Sequence, residues 1–395
     1  YLGDILGAKE MLEGKAKELA GVKVLDERTL QVTLDGPKPY FLAKLSYPTS
    51  FVVNPDQAKG EPDAWVWDAD VSGPYRLKEY REGEALLLER NPNYHKPPAI
   101  PYIAVRFYTG GSAISVYEAG GLDILSIFGE DVQRVQKEDD PLHDQWSSTP
   151  SLCTFYLAFS NSLPPFDDLK VRRAFAQAVD RGTFVERLSN NIDLPAFSLL
   201  PPGMPGFSQD LSALPFDPQA ARQALQESKY ASKLPEVILH ASGYGDSDRD
   251  DVNLLVETWK KELGVSVKVE YLDPIKFSEA ARKEDGHITL SGWCADYPDP
   301  QNFLDVLYRS SSDFNYAAYV NPQVDELLDE ANQASDPARR LELYKQVEKL
   351  LLEDVAVVPL EYFVFNYLVQ PRLAGYQPNP MYGVYLLDLA IKTSP

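Results

Sequence analysis

Residues 235–293 read PEVILHASGYGDSDRDDVNLLVETWKKELGVSVKVEYLDPIKFSEAARKEDGHITLSGW, and this stretch decides the fold. The run EVILHA (236–241) is a short apolar strand bounded by turn residues. Asp250–Leu263 then repeats at helical spacing, with Val252, Leu255, Val256, Trp259 and Leu263 on one stripe. Gly264 stops that helix at C′, and Lys260 and Lys261 favour its negative end. VSVKVEY (265–271) alternates as a strand, Pro274–Lys283 reads as a second helix, and HITLSGW (287–293) as a third strand. Strand–helix–strand–helix–strand predicts parallel strands in an open α/β sheet. Ligands of such sheets sit beyond the carboxyl ends of the strands. Trp293, Cys294, Ala295 and Asp296 fall there.

Outward from this core, Asp217-Pro218, Asn321-Pro322 and Asp336-Pro337 each set a capping side chain before a proline at the first helical position. The last two helices should bury Val324, Leu327, Leu328 and Ala331, and Leu341, Tyr344, Val347 and Leu351. Asp168 can cap a helix carrying Val171, Ala174, Phe175, Ala178 and Val179 on one face. Residues 22–34 read as strand, turn, strand, and 73–91 as a hairpin around Arg81-Glu82-Gly83. The Pro- and Asn-rich run 91–102 reads as a surface connection.

At 395 residues the chain has room for two or three domains, and 44% hydrophobic with 25% charged residues is a globular balance. Collagen, disordered chains and disulfide miniproteins are excluded. No run approaches the roughly 18–20 apolar residues of a membrane span. Lys plus Arg is 38 and Asp plus Glu is 59, a net charge of −21 that repels phosphate backbones. No nucleic acid is expected as a partner. The two cysteines and four scattered histidines have no metal-ligand spacing, so no metal is expected, and no cofactor is called for. No signal peptide is visible at Tyr1, where the sequence reads as the middle of a helix-forming region.

GWCADYPDP (292–300) joins a rigid aromatic, a cysteine and two acids to turn-forming prolines. It reads either as a ligand-contact loop with Asp296 as a fixed negative charge, or as a polar turn with Asp296 bonding nearby amides. Asp296 with Asp299 weakly imitates a glycosidase carboxylate pair. Asp246, Asp248 and Asp250 with Glu257 match acid positions of a calcium loop, but Asp251 stands where its glycine belongs. They read better as acids favoured at a helix N-terminus. Arg172-Arg173 reads as a solvated or salt-bridged face rather than an anion site. No G-x-S-x-G precedes a helix, and no phosphate-cradling loop exists. Cys153 and Cys294 are either free buried cysteines or one disulfide closing a loop of about 140 residues.

At these residues the sequence resembles the family 5 extracellular solute-binding proteins, which include the oligopeptide- and dipeptide-binding receptors of bacterial ABC importers. The matching segments run in family order: GAKEMLEGKAKELAGVKVLDERTLQVTLDGPKPYFL (7–42), SGPYRLKEY and LLLERNPNYH (within 72–95), and CTFYLAFSNSLPPFDDLKVRRAFAQAVDR (153–181). GWCADYPDPQNFL, NYAAYVNPQVDELLDEA and VVPLEYF follow. The resemblance implies an α/β, class II periplasmic-binding-protein-like fold, with two α/β lobes closing on a ligand cleft and the remnant of a small extra domain. It divides the chain into 1–48 (remainder of the small domain), 49–152 (first lobe), 153–365 (second lobe with the ligand loop) and 366–395 (return to the first lobe). It implies no chemical reaction.

In peptide-binding relatives the W-C-A-D-Y aspartate pairs with the ligand's α-ammonium, a role that falls on Asp296. Backbone at Gly292, Trp293, Cys294 and Ala295 would add a strand to an extended peptide, and Trp293 would line a side-chain pocket. Tyr156 and Phe363 match aromatic positions of relatives. Cys153 and Cys294 fall at the paired positions of a disulfide, which needs an oxidising compartment. Leu290 replaces an arginine that some oligopeptide receptors use for the ligand carboxylate, and Ser72 stands where relatives carry Gly or Thr. The resemblance also implies that the family's signal peptide and first α/β elements precede Tyr1. The expected protein is a monomeric, extracytoplasmic (periplasmic or surface-anchored) subunit that hands peptides to a membrane permease. The alternatives are an oligosaccharide or other small-solute receptor, or a solute-sensing module of a larger regulatory protein.

Overall fold

The computed structural model describes residues 1–59, 67, 69–107, 110–244, 247–283, 286–381 and 383–392. The chain forms two compact units, Tyr1–Ser50 with Pro150–Phe363, and Phe51–Thr149 with Val364–Pro395.

The first unit holds the parallel core that the sequence predicts. Val237–Ser242 is flanked by Val267–Leu272 and Ile288–Cys294, both parallel to it. Beyond them lie Trp146–Phe159, antiparallel to Ile288–Cys294, and then Val357–Val369. The sheet is therefore mixed, its parallel part being the strand–helix–strand stretch where helical crossovers permit that direction. Asp250–Leu263 has the predicted ends, with Gly264 at φ 70° closing it. Its Trp259 is fully buried among Phe159, Phe166 and Phe175, and the indole Nε1 donates to the Phe175 carbonyl at 3.0 Å. Asp168, Asp217, Asn321 and Asp336 all accept a backbone N–H at the start of their helices.

Three positions depart from the sequence reading. Arg172 is buried rather than solvated or salt-bridged. Its Nε donates to the carbonyl of Asp354, the residue closing the helix Pro337–Glu353, at 2.9 Å, and its Nη1 to the Phe166 carbonyl at 2.6 Å. A cation is favoured at that helix end, and neighbouring Arg173 stays exposed. Leu327 and Leu341 are half-buried, while polar Asn332 and Glu348 take places in the interior. Glu348 accepts the N–H groups of Leu199 and Leu200 at 2.7 and 2.9 Å, and burial pushes its carboxyl up to about 7.

Residues 1–50 of this unit form the expected hairpin, Val22–Asp26 with Thr29–Val32, beside a small cluster of Ile5, Ala8 and Phe41. Asp4 ties them together by accepting from Lys44 Nζ at 2.6 Å and the Tyr40 hydroxyl at 3.1 Å. In the second unit Tyr75–Arg81, Ala85–Arg90 and Tyr102–Arg106 make an antiparallel sheet, turning at Gly83 with φ 69°. Asn91 anchors the end of that hairpin by donating to the Val71 and Gly73 carbonyls. Among the described residues no helix is long and apolar enough to cross a membrane.

Cys153 and Cys294 are a directly opposed cross-strand pair joined by a disulfide, 141 residues apart in sequence. A link closing so long a loop restricts the unfolded chain by at most about 5 kcal/mol. The double variant Cys153→Ala/Cys294→Ala should therefore unfold at clearly lower urea. Thiol titration of the denatured, unreduced wild type should find no free thiol, and two would show the bond absent.

Candidate functional site

The strand Ile288–Cys294 outruns its parallel neighbour. Pairing with Val237–Ser242 stops at Leu290↔Ala241, whereas pairing with Trp146–Phe159 continues to Cys294↔Cys153. Over Ser291–Cys294 one edge therefore has no strand partner among the described residues. Such an edge offers backbone N–H and C=O groups to an added strand. Gly292 pairs with Phe155, whose ring covers it: a Cβ there would lie 2.6 Å from Phe155 Cδ1. Glycine lets this aromatic close over the backbone.

Past the strand Asn302, in the first turn of the helix Gln301–Tyr308, holds two positions of the chain at once. Its Oδ1 accepts from Trp293 Nε1 at 3.0 Å and from the Asp296 amide at 2.9 Å, and its Nδ2 donates to Asp296 Oδ2 at 3.2 Å. The Trp293 ring meets Phe314 edge-on at 5.4 Å. The Ala295 amide donates to the Leu152 carbonyl at 2.8 Å, extending the strand's support by one residue. Burial raises the Asp296 carboxyl above its usual range, opposed by hydrogen bonds with Asn302 and Tyr47. Among the described residues no lysine or arginine pairs with Asp296.

Asp299 is engaged differently. Both its oxygens accept from Arg340, at 2.8 and 2.6 Å, and Arg340 also donates to the Tyr344 hydroxyl at 3.0 Å. The glycosidase-like pairing of Asp296 with Asp299 therefore gives way to a structural ion pair. Tyr297, fully buried beside Tyr1, bonds to Gln301.

The structure thus sets Gly292, Trp293 and Cys294 on the free edge and Ala295 and Asp296 in the turn directly after it. Tyr156 lies in the adjacent strand opposite Ser291, buried at 2% exposure, so it packs beneath the edge rather than beside open space. Phe363 is one strand further away and half-buried, and its carbonyl accepts from Ser151 Oγ at 2.7 Å. Phe155 and Asn302 were not singled out by sequence reasoning. Their only signals are the register opposite a glycine and an amide in a first helical turn. Of the calcium-loop acids, Asp246 lies outside the described residues, Asp248 accepts from Asn253, and Asp250 stands in the first turn of its helix. Among the described residues no three His, Cys, Asp or Glu side chains gather to hold a metal. A cavity of about 190 Å³ adjoins the edge, lined in part by Phe155, Leu290, Ser291 and Gly292.

These features define a class, the periplasmic binding proteins of class II fold. OppA of Burkholderia pseudomallei matches with a TM-score of 0.80 and 25% identity, covering 99% of this chain and 79% of that one. The murein tripeptide binding protein MppA of Escherichia coli matches at 0.78 and 25%, covering 99% and 78%. In sequence, the periplasmic oligopeptide-binding protein OppA of Salmonella typhimurium is 30% identical, over 98% of this chain and 74% of its own length. The chain belongs to the bacterial extracellular solute-binding proteins, family 5, whose middle-region model matches residues 4–315.

Asn302→Ala should strand two donors and free the Asp296 carboxylate, costing about 1–3 kcal/mol for each buried group left unsatisfied. Urea unfolding followed by tryptophan fluorescence measures it. An unchanged midpoint and unchanged Trp293 environment would deny Asn302 this role.

Proposed function

We propose that this protein is the substrate-binding subunit of an ABC importer, taking up extended oligopeptides or dipeptides and delivering them to a membrane permease. The observation that carries this reading is the unpaired edge Ser291–Cys294 running directly into Asp296. An extended peptide satisfies such an edge with its own main chain, which gives affinity without reading side chains. A sugar ring has no matching row of amides. The relatives named as oligopeptide- and murein tripeptide-binding proteins support the same ligand class.

In this reading Asp296 takes the peptide's α-ammonium, Gly292, Trp293, Cys294 and Ala295 supply the edge, and Trp293 bounds a side-chain pocket. Tyr156 supports the edge from below, and Phe363 adds an aromatic surface at the strand's far side. Segments 49–152 and 366–395 form one lobe and 153–365 the other, with 1–48 the remainder of a small domain. The protein acts as a monomer outside the cytoplasm, catalyses no reaction, and its disulfide suits an oxidising compartment.

A charge pair about 4 Å apart has a Coulomb energy near 4 kcal/mol at an effective dielectric of 20. Removing one partner of such a pair typically costs about 2–5 kcal/mol. Asp296→Asn should therefore weaken binding of free peptides by calorimetry far more than binding of their N-acetylated forms. The neutral acid cannot pair with an ammonium, so wild-type affinity for free peptides should also fall as pH drops through the raised Asp296 pKa. Equal losses for free and acetylated peptides would overturn the anchor. Mass spectrometry of co-purified ligand separates peptide from sugar.

A further inference from the structure

The cavity beside the free edge carries a charge that the peptide reading leaves unused. It holds about 190 Å³, more than the roughly 150 Å³ that accommodates a benzene ring. Phe155, Phe277, Leu290 and Leu360 give it apolar walls, and Glu361 lines it from the strand Val357–Val369. Glu361 forms no ion pair among the described residues. Arg249, the cation in its described lining, is already spent. Its Nε and Nη2 grip Asp251 at 3.1 and 2.5 Å, and its Nη1 donates to the Ser242 carbonyl at 2.9 Å.

We propose that this cavity is a subsite for a basic ligand side chain, lysine or arginine, with Glu361 as the counter-charge. The proposal rests on the peptide reading and deepens it. With Glu361 ionised, Glu361 and Asp251 against Arg249 leave one net negative charge in the described lining, and an acidic guest would add to it. A neutral guest would leave Glu361 desolvated without a partner. A basic side chain resolves both, because its methylene stem packs on the aromatic walls while its head meets the carboxylate. Burial, with Asp193 and Asp251 nearby, pushes the Glu361 carboxyl up to about 7, the mark of a carboxylate short of positive charge.

The test uses tetra-alanine peptides carrying lysine, norleucine or glutamate at one position at a time, titrated calorimetrically into the intact protein. One position should favour lysine over norleucine by about 10- to 100-fold, the worth of a charge-assisted hydrogen bond, with glutamate weakest. Glu361→Gln should bring that ratio close to one, and Glu361→Asp should retain a lysine preference. Urea midpoints of both variants show whether they are folded. A lysine preference surviving in a folded Glu361→Gln variant, or no preference at any position in the wild type, would overturn the subsite while leaving peptide binding intact. Failure of every peptide, tetra-alanine included, to bind the wild type would overturn the peptide reading and the subsite with it.

Discussion

The one-sided pairing of the strand Ile288–Cys294 is the constraint on which the site depends. Seven consecutive register pairs bind it to Trp146–Phe159, from Ile288↔Phe159 to Cys294↔Cys153, while its other neighbour covers only three. Four residues are thus paired as strand on one side only among the described residues. A free edge normally frays or recruits another chain. Here the disulfide closes its last pair and the ring of Phe155 covers Gly292, while the open side has no strand partner among the described residues.

Beyond the edge, polar contacts rather than apolar packing fix the loop. Asn302 serves Trp293 and Asp296 together, Asp299 is clamped by Arg340, and buried Asp305 accepts from Gln301, Asn332 and Arg309. Buried ion pairs of this kind add little net stability, because desolvation offsets most of their attraction. What they supply is a single conformation. For a site that orders a flexible ligand, rigidity already present in the protein lowers the ordering cost of binding.

The parallel core was legible because each element carries its own local signal: the apolar stripe ending at Gly264, the Asp-Pro and Asn-Pro starts, and the alternation of VSVKVEY. From the residues alone the disulfide and a ligand-facing Asp296 stood as open alternatives, since two cysteines 141 residues apart carry no register; family resemblance singled out the pairing and the proposed anchor. Asn302 was invisible because an amide near a helix start looks like any polar surface residue. Its work spans six residues to Asp296 and nine to Trp293, across a turn whose path only the fold defines. Arg172 misled for a related reason. Charge at helical spacing suggests solvent, but this guanidinium finds the end of a helix 182 residues away.

The acids of the first unit divide in a way that bears on what the site is for. Asp299, Asp305 and Asp251 lie in or near the site, and each is matched by an arginine, Arg340, Arg309 or Arg249. Asp296 and Glu361 are both raised in pKa by burial, and among the described residues neither pairs with an arginine or lysine. Leaving a desolvated acid without a cation costs free energy that folding must absorb. A chain with 38 basic residues had cations enough to pair both. The cost becomes useful if a cation arrives from outside, because the unmet charge then contributes to binding instead of burdening the empty protein. Placing one such acid at the end of a free strand edge and the other in the adjoining cavity separates two tasks. In the proposed reading the edge and Asp296 would hold any peptide by its backbone and terminus, and Glu361 would let one side chain be weighed.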